Sequence, residues 1–141
     1  RISAGLISDK IGRINTLASA CLLSIVGLYF MYISGEGDVR TFYIGISIIG
    51  ICFGSFMGVF PGFTADQFGA KNNSVNFGIM FSGFAIAGYV GPTIMTNTLK
   101  ATGSYKGAFL IGIAFSIAGL LLTFAYRSVN KKVNTILAAQ K

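Results

Sequence analysis

Histidine and tryptophan are absent from this 141-residue chain, and only four residues, Asp9, Glu36, Asp38 and Asp66, carry a negative charge. Without histidine, the commonest metal ligand and the commonest acid–base group near neutral pH are missing. Four scattered carboxylates provide no catalytic pair, no Ser–His–Asp set and no metal cluster, so neither a cofactor, a metal site nor an enzyme is expected. The two cysteines, Cys21 and Cys52, each sit in an apolar run and read as small buried hydrophobes, with no disulfide framework. Charged residues are only 11% of the chain, against about 25% in an ordinary soluble domain.

What is present is 53% hydrophobic residues, 19 glycines and 11 Lys+Arg, for a formal net charge of +7. This composition points to a membrane protein. The basic residues cluster at the ends of long apolar runs, with no patch interleaved with aromatics, so no nucleic-acid partner is expected. The chain opens on Arg1, without a Met or a signal-peptide n-region, and is expected to be a piece of a longer protein.

The uncharged gaps define the spans. There are 22 residues between Arg13 and Glu36, 25 between Arg40 and Asp66, 28 between Lys71 and Lys100, and 20 between Lys106 and Arg127. About 20 helical residues cross a ~30 Å hydrocarbon core. Four transmembrane helices follow, over Ile14–Ile33, Thr41–Thr64, Val75–Thr98 and Gly107–Tyr126, with Arg1–Ser8 as the end of an earlier helix. Alternating β-barrel segments are not seen. The helices also lack the charged outer face of a soluble bundle. Residues 1–126 are therefore assigned to a transmembrane region and 127–141 to a short tail that continues the last helix or lies on the membrane surface.

Four spans put the Asp9–Arg13 loop, the Asp66–Ser74 loop and the tail on one side. Eight basic residues fall there and three, Arg40, Lys100 and Lys106, on the other. The positive-inside rule makes the eight-charge side cytoplasmic, the carboxyl terminus included.

Glycine and proline are concentrated in two spans. Gly50, Gly54 and Gly58 recur every four residues and share a helix face suited to close packing. Pro61–Gly62 weakens that helix near its end. Gly91 precedes Pro92, which removes a backbone donor and is expected to kink the third span. Such helices suit packing and gating in a transporter, although glycine also serves ordinary packing. Phe77, Phe81 and Phe84 share a face by their i, i+4, i+7 spacing. Arg1 lies eight residues before Asp9, about 12 Å deeper along a helix. It is suited either to holding a carboxylate bidentately or to snorkelling to the interface, and the sequence leaves both open.

The run Gly5-Leu6-Ile7-Ser8-Asp9-Lys10-Ile11-Gly12-Arg13 resembles the G-x-x-x-D-R/K-x-G-R signature of the major facilitator superfamily, which joins two helices on the cytoplasmic side. Gly5 permits close contact and Asp9 pairs with a basic residue or a helix amino terminus. Gly12 allows a tight turn and Arg13 anchors at the headgroups. Phe60–Gly69 and Asn76–Gly83 resemble the exit of helix ten and the start of helix eleven in the oxalate/formate antiporter family, whose site logic is shared with monocarboxylate transporters.

The resemblance implies an all-α membrane protein, a fragment of a twelve-helix major facilitator fold from the end of helix eight through helix twelve. It implies a secondary active transporter that moves a small organic anion, a monocarboxylate in the first instance, by alternating access. The family's helix-eight arginine falls on Arg1, and its aromatic positions fall near Phe53 and Phe81. The lysine of the oxalate carrier falls on Phe84, a departure that leaves a dianion without its second cation. Gly5, Asp9, Lys10, Gly12 and Arg13 would stabilise one closed state. Implied partners are a small carboxylate substrate, the lipid bilayer and the missing amino-terminal half of the same transporter. The implied location is the plasma or inner membrane, multi-pass. The alternative is a non-transporting membrane sensor or assembly subunit that retains the fold.

Overall fold

A computed structural model describes residues 2–35, 37–69 and 71–139. Those residues form five helices: α1 (Ile2–Ile11), α2 (Arg13–Ile33), α3 (Val39–Phe68), α4 (Asn73–Thr102) and α5 (Lys106–Ala139). Four of them, α2 to α5, are long and apolar enough to cross a membrane. Large apolar side chains such as Leu22, Ile51, Ile86 and Leu121 stand exposed around the bundle, as lipid-facing residues do.

The helices outrun the apolar gaps that predict them. α3 is 30 residues, α4 is 30 and α5 is 34. Each continues past its hydrocarbon-depth segment into polar residues, because nothing there breaks the backbone ladder. The last helix thus carries on through the expected tail to Ala139. α3 and α4 also run on through Pro61 and Pro92 as single helices.

The breaks come from glycine instead. Gly12 alone separates α1 from α2, at φ 94°, a region open to glycine at little cost. Its N–H donates to the Ser8 carbonyl at 2.9 Å, and its own carbonyl accepts from Thr16 N–H at 3.1 Å. Both backbone groups of the turning residue are thus hydrogen-bonded. Gly103, in the left-handed conformation, closes α4 by donating to the Leu99 carbonyl at 2.8 Å. At the start of α3, the Asp38 carboxylate accepts from the Thr41 N–H at 3.2 Å. Hydrogen bonding from the Thr41 side chain, and then from its backbone N–H, holds the Asp38 carboxyl below its ordinary value.

α2 is the centre of the bundle. It packs chiefly on α3 and α5, and its Leu17, Ala20 and Cys21 are buried with Cys52 and Val59 of α3 and Ala108 and Phe109 of α5. α2 and α3 approach closely at Gly27 and Gly45. A Cβ on Gly45 would lie 2.9 Å from the Gly27 carbonyl oxygen and 2.6 Å from Met31 Cγ. At Gly50 and Gly91, expected on packing faces, an added Cβ meets nothing within 4 Å among the described residues. The reason is that α2 meets α3 on the side that carries Gly45, and α4 lies at the margin, with no buried residue. Gly54 and Gly58 are half-buried.

Candidate functional site

Two constellations carry chemistry, one at mid-depth and one at the end of the bundle that holds the Gly12 turn. The mid-depth one is a cavity of about 360 Å³ between α3 and α4. Phe53, Phe56 and Phe60 line it from α3, and Phe77, Phe81 and Phe84 from α4, with Met57 and Met80 filling between them. The periodicity explains the convergence, since residues three or four apart share a helix face. On α4 the rings form a row, Phe77–Phe81 at 5.3 Å and Phe81–Phe84 at 5.0 Å between centroids. On α3, Phe56 and Phe60 stack at 5.7 Å with an 18° interplanar angle. The cavity is bounded where the two helices touch. Phe53 meets Phe84 at 5.8 Å toward one end, and Thr64 Oγ1 lies 3.5 Å from Met80 Sδ toward the other.

Phe60 and Phe53 are six and thirteen residues from Asp66, about 9 and 20 Å along the helix. In a ~30 Å hydrocarbon core that is the middle. No charged residue is among the described residues lining the cavity. Phe53, Phe81 and Phe84, named from sequence as substrate contacts, are brought together here. Arg1, named as the carboxylate partner, lies outside the described residues. Phe56, Phe60, Met57 and Met80 were not singled out, although the i, i+4 spacing of Phe56 and Phe60 is a readable sign of a shared face.

Behind the α3 wall, a second cavity of about 340 Å³ opens between α2, α3 and α5. Ser24 of α2 and Ser116 of α5 share a hydroxyl–hydroxyl hydrogen bond across it at 3.1 Å, while the Ser24 proton is given to the Cys21 carbonyl at 2.7 Å. Phe56 and Phe60 line this cavity too, so the same stacked pair separates the two spaces.

The end of the bundle is held by charge. Arg13, the first residue of α2, directs Nε to Asp66 Oδ2 of α3 in a close ion pair. Its Nη2 lies 3.5 Å from Asp9 Oδ1 of α1. One guanidinium therefore ties three helices. Gly62, one turn before Asp66, makes this path possible, since a Cβ there would overlap the Arg13 guanidinium. α5 joins the same cluster, with Arg127 Nη1 donating to Asn15 Oδ1 at 3.1 Å and Tyr126 Oη donating to Gln67 Oε1. Tyr126 also meets Phe63 edge-on at 5.7 Å.

Of the motif residues, Asp9, Gly12 and Arg13 sit within this cluster. Lys10 is exposed, and nothing approaches a Cβ placed on Gly5 within 4 Å. The close helix contact expected at Gly5 is thus not among the described ones. Arg13 holds an ion pair in addition to any headgroup role. Asn15, Gly62, Asp66, Gln67 and Arg127 were missed. The Gly62–Asp66 spacing of one turn was the available sign.

A motif at a one-residue turn, charge-linked to the neighbouring helices of an apolar bundle, invites comparison with known families. The family described as Major Facilitator Superfamily matches residues 2–140. The chain belongs to that superfamily. Among curated proteins it is similar to the uncharacterized MFS-type transporter YhjX of Escherichia coli (strain K12), 33% identical over 86 residues. The match covers 61% of this chain and 21% of that protein, so the chain spans about a fifth of its relative's length. No solved structure matches. Membership makes the four long helices part of a multi-pass membrane protein of the major facilitator fold.

Proposed function

We propose that the protein is a secondary active transporter whose substrate, a small organic anion of the monocarboxylate class, is held at mid-depth against the α3–α4 cavity. The observation that carries this reading is the cavity itself, aromatic, with no charged residue among its described lining, and at mid-depth by helix rise from Asp66. Transporters of this architecture bind substrate near the midplane and alternate access by rocking one half against the other. The described lining supplies apolar contact but no counter-charge. Arg1, about 12 Å deeper than Asp9 along a helix, would supply it through a planar two-bond fork that lysine cannot reproduce. With Phe84 in place of a second cation, a dianion such as oxalate would leave one carboxylate unpaired in the membrane, at a cost of several kcal/mol.

The motif cluster is proposed to lie at the cytoplasmic face, with the end of α5 on the same side and the protein in the cell membrane. There the Arg13 ion pairs would favour one closed state. The alternative is a non-transporting sensor or assembly subunit that retains the fold. An uncharged mid-depth cavity favours transport, since neither alternative needs one.

The test is uptake of labelled carboxylates by the intact polypeptide in proteoliposomes. Saturable monocarboxylate uptake that falls substantially in Arg1→Lys is expected. Absence of saturable uptake for every carboxylate offered would overturn the reading.

A further inference from the structure

We infer that the substrate carries an apolar, ring-bearing body attached to its carboxylate, an arylalkanoate in place of a one- or two-carbon acid. The inference rests on the transport reading and deepens it. Two rows of rings face each other across the α3–α4 cavity, Phe56–Phe60 on one side and Phe77–Phe81–Phe84 on the other. The space between them, about 360 Å³, is uncharged and bounded by the Phe53–Phe84 and Thr64–Met80 contacts. Formate or acetate would leave most of it empty and would bring only a charged group, which such walls disfavour. A flat ring satisfies it. Its faces and edges match those of the phenylalanines at the 4.5–7 Å centroid spacing aromatic pairs adopt, and Met57 and Met80, between the rings, provide polarizable sulfur.

Shape argues for a guest molecule over a packed helix. A neighbouring helix packs ridges into grooves at 8–10 Å between axes. Here the concavity lies between two helices already in contact at two points along its length, leaving a slot between the two rows of rings. Gly83 is part of the slot's wall, and a Cβ there meets nothing within 4 Å. A larger side chain can therefore be added to this part of the lining without meeting backbone.

The experiment is competition for uptake by acetate, butyrate and phenylacetate, using the intact polypeptide in proteoliposomes, in wild type, Gly83→Leu and Phe81→Ala. In wild type the apparent affinity should rise about fourfold per added methylene, the equivalent of ~0.8 kcal/mol each, with phenylacetate at least tenfold above acetate. Gly83→Leu, which adds bulk at the lining without a backbone clash, should reduce phenylacetate affinity by about tenfold and acetate affinity much less. Phe81→Ala should flatten the series.

Uptake in which acetate equals or exceeds phenylacetate would overturn the inference and leave the transport reading standing. A ratio unchanged in Gly83→Leu would also overturn it, because a lipid chain or another part of the protein would then be filling the slot. No uptake of any acid would remove the transport reading itself. Binding of phenylacetate to the purified protein, lost in Gly83→Leu, would still support the slot as a ring site in that case, and no binding would remove both.

Discussion

Replacing Gly62 by alanine tests the charge cluster with a sign that runs against the usual rule. Within a helix, Gly→Ala ordinarily stabilises by about 0.5–1 kcal/mol through backbone entropy. At Gly62 the new Cβ overlaps the guanidinium of Arg13, and even Nη2 lies 3.0 Å away, inside the ~3.5–4.0 Å of comfortable contact. The guanidinium is the end of a flexible side chain, so it can swing clear, but it then leaves Asp66. The side chains of the pair are 26% and 53% exposed, which limits the loss to about 0.5–1 kcal/mol.

The two effects offset, and Gly62→Ala should come out near neutral. Gly50→Ala, on the same helix, where an added Cβ meets nothing within 4 Å, should gain the full ~0.5–1 kcal/mol. In an Asp66→Asn background the ion pair is already gone, so Gly62→Ala should recover that gain. The measurement is reversible unfolding of the four variants in mixed micelles, read as a double-mutant cycle. Equal effects of Gly62→Ala with and without Asp66 would refute the claim that the glycine matters through Arg13.

Three further expectations follow from other parts of the structure. Single cysteines placed near Gly37 should react with a membrane-impermeant reagent on intact cells and those after Tyr126 should not, in a background lacking Cys21 and Cys52. The reverse pattern would overturn the orientation taken from the charge asymmetry. Gly45→Ala should destabilise by about 1–3 kcal/mol, as overpacking does, because its Cβ meets the Gly27 carbonyl oxygen at 2.9 Å, and backbone cannot step aside; unfolding in micelles reads it. The Asp38 cap should act as a pH-dependent clamp on the start of α3. Its carboxyl titrates below the ordinary value, so its contribution is present above the usual carboxylate range and is lost as pH falls through the lowered pKa. Amide exchange at Thr41 should accelerate over that acid range in wild type and show no such step in Asp38→Asn.

The existence and order of the helices were legible because charge is excluded from hydrocarbon depth, so gaps such as Lys71–Lys100 mark the spans directly. Their ends were not, because a helix needs only an unbroken backbone to continue past the apolar layer, as α5 does from Arg127 to Ala139. The Gly12 turn was readable from one residue type in one place. Which glycines would meet a neighbour was not. Gly50 belongs to a regular repeat and a Cβ there meets nothing within 4 Å, while Gly27, an isolated glycine in α2, sits at the close approach to α3. Periodicity reports which residues share a face; the neighbour that face meets depends on α2 taking the centre of the bundle. The aromatic cavity was half visible for the same reason. The α4 phenylalanines were grouped by spacing, but the answering row on α3 needed the two helices set side by side.

The Phe56–Phe60 pair is a partition with a void on each side, about 360 Å³ toward α4 and about 340 Å³ toward α2 and α5. Space can therefore be traded across it. Under the transport reading, a ring that tilts away from α4 to admit a bulkier guest would move into room that is already there, without prying helices apart. The void near Ser24 and Ser116 would then act as an expansion chamber for the cavity on the other face of the wall. Filling the chamber from behind, with a larger side chain at Ser116, would stiffen the partition and narrow the range of guests without placing a single atom in the space they occupy.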